Sequence, residues 1–154
     1  MKNPDQLTKE IIKRCKQEDE IVAVYLFGSA AMNRMKPSSD LDVALLLESG
    51  SETSFPLLQF GTDLEKISGQ RTDLVILNRS GELLQYQVRR FGKLIFERDE
   101  HMRKKFEISG RKRYEDFIYL HNRYVKSVLY GAAMVDVVVV EKILGDIKSN
   151  VRDL

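Results

Sequence analysis

Apolar residues near the start of the chain change from a helical spacing to a continuous run. Leu7, Ile11 and Cys15 recur every fourth residue, which predicts a helix over residues 4–19. Residues 21–27, IVAVYLF, contain no charged side chain and are rich in residues that favour strands. Such a run is typical of a strand that is buried on both faces. The pattern therefore predicts a helix followed by a buried strand.

The same alternation continues up to residue 98. The spacing of apolar residues, together with proline and glycine at the element ends, predicts helices over 30–35, 56–68 and 80–91 and strands over 40–47, 72–77 and 93–97. Strands and helices alternate in this part of the chain, whereas the remainder is helical. This order predicts a mixed α+β fold with a helical tail.

The pattern after residue 98 is helical. Asp99 is predicted to cap a helix that Ser109 and Gly110 would end, and a second helix follows. From Val135 onward a run of valines favours a strand, but the later apolar residues keep helical spacing, so we predict a third helix. The chain is accordingly divided into a core over 1–98 and a helical extension over 99–154, either within the same compact domain or as an interface.

Composition excludes several classes of protein. Hydrophobic residues make up 43% of the 154 and charged residues 31%, as in a globular protein. The apolar runs are too short to span a membrane, and MKNPDQLTKE does not resemble a signal peptide, so we expect a cytoplasmic protein. Cys15 is the only cysteine, which excludes an internal disulfide and predicts a half-buried structural thiol.

Charge gives little support to a nucleic-acid partner. The net charge is only +2, and the basic cluster RKRY at 111–114 is more typical of a solvated helix start than of an RNA contact.

The last predicted helix would either cover the core or pair two subunits. The sequence therefore leaves open whether the chain forms a homo-oligomer.

Two aspartates form the first candidate for chemistry. Asp40 and Asp42 are two residues apart on a predicted strand, so both side chains would emerge from one face. Two close carboxylates repel each other, and a hard divalent cation with oxygen ligands would offset that repulsion. The alternative is an edge strand that carries alternating surface acids.

Gly28 and Ser29 form the second candidate. A glycine at the end of a buried strand allows a sharp turn and the close approach of a ligand, and the following helix start would offer N–H groups to a phosphate. Asp73 begins the next strand and would complete the metal site or accept a proton from an attacking hydroxyl. The alternatives are an ordinary turn and a strand end in solvent. Together, the parts are those that phosphoryl and nucleotidyl transfer require.

The spacing Gly-Ser, ten residues, Asp-x-Asp resembles the signature of the DNA polymerase β-like nucleotidyltransferase superfamily. Within it, the sequence is most similar to the minimal nucleotidyltransferases. The stretches TDLVILNRSGELLQYQVRRFGKLIFERDEHMRKKFE and RYEDFIYLHNRYVK resemble the MntA-type antitoxins. In all, the resemblance covers roughly residues 5–130.

This resemblance implies a nucleotidyltransferase fold, with a small, mixed and mostly antiparallel sheet flanked by helices. It implies ATP as substrate, Mg²⁺ as cofactor, and a HEPN-domain toxin of the HepT type, encoded nearby, as partner. Such antitoxins transfer AMP to a tyrosine of the toxin. Carried over to this chain, the nucleotide would be bound by Gly28, Ser29, Arg34 and Ser39, and Asp40, Asp42 and Asp73 would be the catalytic and metal-binding acids. Many members have an arginine just after the Gly-Ser pair; here that stretch is AAMN, so Arg34 would take its place.

Two other functions stay open. The protein could be an antitoxin that neutralises its partner by binding alone, in which case the acids would be dispensable for protection. It could also be a nucleotidyltransferase of small molecules, although such enzymes generally need more chain to build a substrate pocket.

Overall fold

The computed structural model describes residues 2–32, 34–36, 38–131 and 144–147. These residues form alternating helices and strands, in agreement with the prediction for the first hundred residues. The elements are α1 (Pro4–Cys15), β1 (Ile21–Phe27), α2 (Gly28–Ala31), β2 (Leu41–Leu47), α3 (Leu57–Ser68), β3 (Thr72–Ile76), α4 (Glu82–Phe91), β4 (Lys93–Glu97) and α5 (Glu100–Gly131). A single 3-10 turn, Leu77–Arg79, joins β3 to α4.

The four strands form one mixed sheet in the order β3-β2-β1-β4. The central strand β1 is antiparallel to both β2 and β4, while β2 and β3 are parallel. All of β2 except Asp42 is buried, and β1 is buried up to Leu26. The two central strands are covered on both faces, which explains why their sequences are continuous apolar runs. The mixed α+β fold is thereby confirmed.

Helices cover both faces of the sheet. On one face α1 and α3 pack on the strands, and the large, fully buried side chains there include Ile11, Leu45 and Phe60. On the other face Val88 of α4 and Met102 and Phe106 of α5 pack over the sheet. Cys15 lies in the core on the face that α1 and α3 cover, and it is fully buried rather than half-buried as predicted. Burial raises the pKa of its thiol to about 12, which agrees with a structural role.

Arg98, which follows β4, closes the end of the first helix. Its guanidinium donates hydrogen bonds to the carbonyls of Cys15, Lys16, Glu18 and Ile21, at 3.5, 3.2, 3.1 and 3.1 Å. The last carbonyls of a helix have no partner within the helix, and a cation there also interacts favourably with the helix dipole. Arg98 therefore fixes the end of α1 and its connection to β1.

A network of charged side chains attaches the beginning of α5 to the sheet. Arg103 pairs with Glu97 of β4 and, at 2.8 Å, with Glu107 one turn further along α5. The Tyr25 hydroxyl on β1 donates to Glu107 at 2.6 Å, and burial is the main cause that raises the pKa of this phenol. These contacts hold α5 against the two strands that it crosses.

Several predicted boundaries were wrong. Helix α1 ends four residues early, β2 begins at Leu41 rather than at residue 40, and α2 begins at Gly28 itself. Asp99 does cap α5, since its carboxylate accepts from Met102 N at 2.9 Å. The break predicted at Ser109 and Gly110 does not occur, because α5 is continuous over 32 residues. A helical glycine costs only about 1 kcal/mol, too little to end a helix that is otherwise supported.

The chain forms two compact units, Met1–Gly110 and Arg111–Leu154. The first contains the whole sheet. In the second, Tyr114 is buried, whereas Phe117, Tyr124 and Val128 are exposed. The helix predicted from Val135 onward lies outside the described residues except for 144–147, which are helical. The division at residue 98 stays a prediction. Among the described residues, no helix combines the length and apolar character required to cross a membrane.

Replacement of Arg98 by alanine should lower the free energy of unfolding by about 2 kcal/mol, because the carbonyls at the end of α1 and in its connection to β1 lose a charged donor. Chemical denaturation followed by circular dichroism would measure this loss. Arg79→Ala, at an exposed arginine in the 3-10 turn, serves as the control and should change stability little. Equal stability of the two variants would contradict this role of Arg98.

Candidate active site

The strand pairing places Asp42 at the centre of the candidate site. On one side Asp42 pairs with Phe27, the last residue of β1, and on the other with Asp73 of β3. Paired residues on neighbouring strands point to the same face, with β-carbons about 5 Å apart. Asp42 and Asp73 therefore lie side by side on neighbouring strands.

Gly28 is in contact with the Asp42 carboxylate. Its backbone has a φ of 61°, in the left-handed region that favours glycine. A β-carbon at this position would lie 2.2 Å from Oδ2 of Asp42. Gly28 thus serves two purposes, because it turns the chain at the end of β1 and leaves room for the acid opposite. Both require that residue 28 has no side chain.

The electrostatic environment of Asp42 is unfavourable to a bare carboxylate. Burial raises its pKa, and the negative charges of Asp73 and Asp40 raise it further. Asp42 is half-buried, while Asp40 and Asp73 are exposed at the rim. A cation between the acids would reverse this effect and favour the charged forms. The site therefore has the charge distribution of a place that receives a positive ion.

Asp40 differs from the prediction in one respect, since it precedes β2 instead of lying within it. The backbone just after it is fixed by a hydrogen bond from Leu41 N to the carbonyl of Arg71, 2.8 Å long. That bond ties the start of β2 to the segment that leads into β3. The three acids thus belong to two neighbouring strand starts that are held together by the backbone.

The residues expected to bind nucleotide lie in the turn and loop between β1 and β2. Ser29 is in the first turn of α2, and its carbonyl accepts from Arg34 N at 2.9 Å. The Arg34 side chain is exposed. Ser39 closes a turn with Lys36, because its hydroxyl accepts from Lys36 N at 3.1 Å and its own N–H donates to the Lys36 carbonyl at 2.9 Å. The nucleotide contacts of Ser29, Arg34 and Ser39 stay predictions.

The donor set suits an open metal site. Within the residues that the structure describes, no three acidic, histidine or cysteine side chains are close enough to hold a metal ion by themselves. Magnesium in phosphate-transfer sites is usually bound by one or two carboxylates, with water and substrate phosphates as the other ligands. Asp42 and its acidic neighbours fit that arrangement, with the nucleotide completing the site.

Sequence reasoning did not single out Gln70. This residue follows α3, and its side-chain amide donates to the Lys36 carbonyl at 3.1 Å. The contact joins the loop that carries Arg34 and Ser39 to the segment before Asp73. A glutamine in a polar turn gives no sequence signal of such a contact, since the contact depends on how the strands are arranged.

Comparison with known proteins identifies the family. Residues 9–101 match the family described as "Polymerase beta, Nucleotidyltransferase". This match covers more than half of the chain and includes Gly28 and all three acids, so the chain belongs to that family and is a nucleotidyltransferase. No curated protein has a significantly similar sequence.

Solved structures with the same fold include several toxin–antitoxin complexes. A chain in a toxin–antitoxin structure with AMP-PNP is 21% identical, with a TM-score of 0.68, 79% of this chain covered and 98% of that one. A chain in the complex of a tri-AMPylated Shewanella oneidensis HEPN toxin with an MNT antitoxin is 19% identical, with a TM-score of 0.64 and coverages of 82% and 99%. A chain in an MntA–HepT complex is 20% identical, with a TM-score of 0.62 and coverages of 81% of this chain and 98% of that one. At these identities the likeness is one of fold.

Replacement of Gly28 by alanine should cost at least about 1 kcal/mol of stability from the left-handed backbone and should displace the Asp42 carboxylate. We expect nucleotidyl transfer to fall by about two orders of magnitude, because misplacement of a catalytic group by about 1 Å costs roughly that much. Gly50→Ala is a matched control, because Gly50 also has a positive φ, 92°, but a β-carbon there meets no atom within 4 Å. It should lose stability and keep activity. Full activity of Gly28→Ala would show that the reaction does not require this close approach.

Asp42→Asn should raise the melting temperature in metal-free buffer. Because the pKa of Asp42 is raised in the folded protein, its charged form destabilises the fold above the carboxyl's usual pKa, and that cost disappears as the pH falls. Asp63 provides the opposite case, since its hydrogen bond with Arg14 lowers its pKa and its charge favours folding. Asp63→Asn should therefore lower the melting temperature. Shifts of the same sign in both variants, measured at pH 7 with a chelator, would contradict this account.

Proposed function

We propose that this nucleotidyltransferase transfers AMP from ATP to a tyrosine hydroxyl of a HEPN-domain toxin of the HepT type and is that toxin's antitoxin. The observation that carries the proposal is the position of Asp42, which lies between Asp73 and the close approach of Gly28. Membership of the nucleotidyltransferase family supports the reaction type. The fold shared with chains of toxin–antitoxin complexes supports the kind of partner.

Asp40 and Asp42 would hold Mg²⁺ together with phosphate oxygens of the nucleotide. When bound, this ion offsets the negative charge of the acids and of the triphosphate and polarises the α-phosphate. The raised pKa of Asp42 without an ion agrees with this role. The exposed positions of Asp40 and Asp73 leave room for the phosphates at the rim.

The turn after β1 would bind the triphosphate. The N–H groups at the start of α2, next to Gly28 and Ser29, are not used by helical hydrogen bonds and would donate to phosphate oxygens. The Ser29 hydroxyl would donate a further hydrogen bond, and the exposed Arg34 guanidinium would pair with the charge of the phosphates. These contacts would present the α-phosphorus to the acids.

The transfer itself is a displacement at phosphorus. The oxygen of the partner's tyrosine hydroxyl forms a bond to the α-phosphorus, while the bond from that phosphorus to the oxygen bridging the α- and β-phosphates breaks. The hydroxyl proton passes to a carboxylate oxygen of Asp73, which is exposed and in register with Asp42. Pyrophosphate leaves, and AMP stays on the tyrosine.

Incubation of the protein with MgATP and the HEPN protein encoded beside it should add AMP-sized increments to the HEPN protein, as measured by intact mass. Asp42→Asn and Asp40→Asn should abolish the increment, because each removes a carboxylate from the centre. Asp19→Asn, at a side chain that is 99% exposed in the α1–β1 turn, should transfer at the wild-type rate.

Each other outcome of this experiment has a defined meaning. A tight complex without any mass increment would favour an antitoxin that acts by binding alone. Wild-type transfer by Asp42→Asn would overturn the site assignment. Consumption of ATP with AMP found only on small hydroxyl compounds would favour a small-molecule nucleotidyltransferase.

A further inference from the structure

The turn between α3 and β3 is rigidly built. Gly69 has a φ of 70°, and its N–H donates to the Glu65 carbonyl at 2.8 Å, which ends α3. The Ser68 hydroxyl bridges both backbone groups of Gln70, since it donates to the Gln70 carbonyl and accepts from Gln70 N, each at 3.1 Å. Both polar backbone groups of Gln70 are therefore hydrogen-bonded within the turn from which its side chain extends.

The start of β3 is fixed from the same helix. Thr72 N donates to the Glu65 carboxylate at 3.1 Å. On the other side of the strand, the Arg71 carbonyl accepts from Leu41 N at 2.8 Å. The segment that follows Gln70 thus has partners on both sides immediately before Asp73. The position of Asp73 depends on this segment.

The Gln70 side chain crosses from this turn to the loop between β1 and β2. Its amide donates to the Lys36 carbonyl at 3.1 Å, and that carbonyl also accepts from Ser39 N. The neighbouring Met35 packs against the core that α1 and α3 form, while Arg34 N is bonded to the Ser29 carbonyl. Gln70 is therefore the side chain through which the α3–β3 turn contacts this loop in the described structure.

We infer that Gln70 is a positioning residue for nucleotide binding. It acts through the loop, since its hydrogen bond holds the Lys36–Ser39 turn and thereby the exposed Arg34 beside the phosphate-binding turn at Gly28. It need not touch the nucleotide itself. The inference rests on the proposed function, because it assumes that ATP binds between this loop and the acids.

Loss of the Gln70 contact should affect the affinity for nucleotide more than the catalytic rate. A loop that is released from Gln70 samples other conformations, and the nucleotide must then order it on binding. Once ATP is bound, the acids at the strand starts are still held by the sheet. Loss of the Gln70 contact should therefore weaken nucleotide binding and leave the rate at saturating ATP nearly unchanged.

The test uses Gln70→Met in the full chain. Methionine has nearly the same shape as glutamine but cannot donate the hydrogen bond. The dissociation constant for AMP-PNP with Mg²⁺, measured by isothermal titration calorimetry, should rise about fivefold, the effect of one neutral hydrogen bond. The KM for ATP should rise by a similar factor, while kcat stays within about a factor of two.

Gln59→Met is the matched control. Gln59 lies on the same helix, and its amide donates to Asp63 at 3.1 Å on the exposed surface. The chemical change is identical, but among the described residues Gln59 has no hydrogen bond to the loop. This variant should bind AMP-PNP as the wild type does.

The outcomes separate this inference from the proposed function. Wild-type affinity of Gln70→Met, with or without a lower melting temperature, would overturn the positioning role and leave the proposed function intact. A fall in kcat at unchanged KM would also overturn it. A wild-type protein that does not bind AMP-PNP with Mg²⁺ would overturn the proposed function and the inference together.

Discussion

The contact between Gly28 and the Asp42 carboxylate is the constraint on which the candidate site depends. Residue 28 must turn the chain sharply at the end of β1, and the acid opposite fills the space that a side chain would occupy. Asp42 is also paired with Asp73 on the neighbouring parallel strand β3. One strand position therefore determines the shape of the turn after β1 and the spacing of the acids, so neither can change independently of the other.

The carboxylates of Asp40, Asp42 and Asp73 lie close together, and their mutual repulsion does not stabilise the folded protein. The pKa of Asp42 is raised by burial and by two neighbouring carboxylates, so the charged form of Asp42 destabilises the fold above the usual pKa of a carboxyl group. The surrounding structure offsets the cost, because the two central strands are buried on both faces and helices pack over each side. Functional sites commonly trade stability for activity in this way. The rigid sheet makes such a site tolerable.

Much of the fold could be predicted from the sequence because its central strands are continuous apolar runs. The run at residues 21–27 gave the bounds of β1 correctly, and the run after Asp42 gave the end of β2. Glycine was a less reliable indicator of where a helix ends. Gly69 does end a helix, whereas Gly110 lies buried inside one. Local sequence does not distinguish these cases, since the outcome depends on what the following residues pack against.

The site was predictable in its parts but not in its geometry. The spacing between Gly28 and the aspartates indicated candidate residues, yet only the strand register shows that Asp42 lies against Gly28 and beside Asp73. Asp40 was expected within a strand and instead precedes it. Contacts such as that of Gln70 with Lys36 join residues that are 34 positions apart, and no periodicity in the sequence reports them.

Arg98 has a consequence for how the protein forms during synthesis. Its guanidinium binds carbonyls at residues 15–21, and β4 just before it completes the sheet beside β1. The first helix and strand therefore leave the ribosome about eighty residues before their last partners do. At a typical synthesis rate of about 5–20 residues per second, this delay is on the order of several seconds. During that interval one edge of β1 lacks its neighbouring strand, so the nascent chain exposes an unpaired apolar edge that a chaperone would recognise.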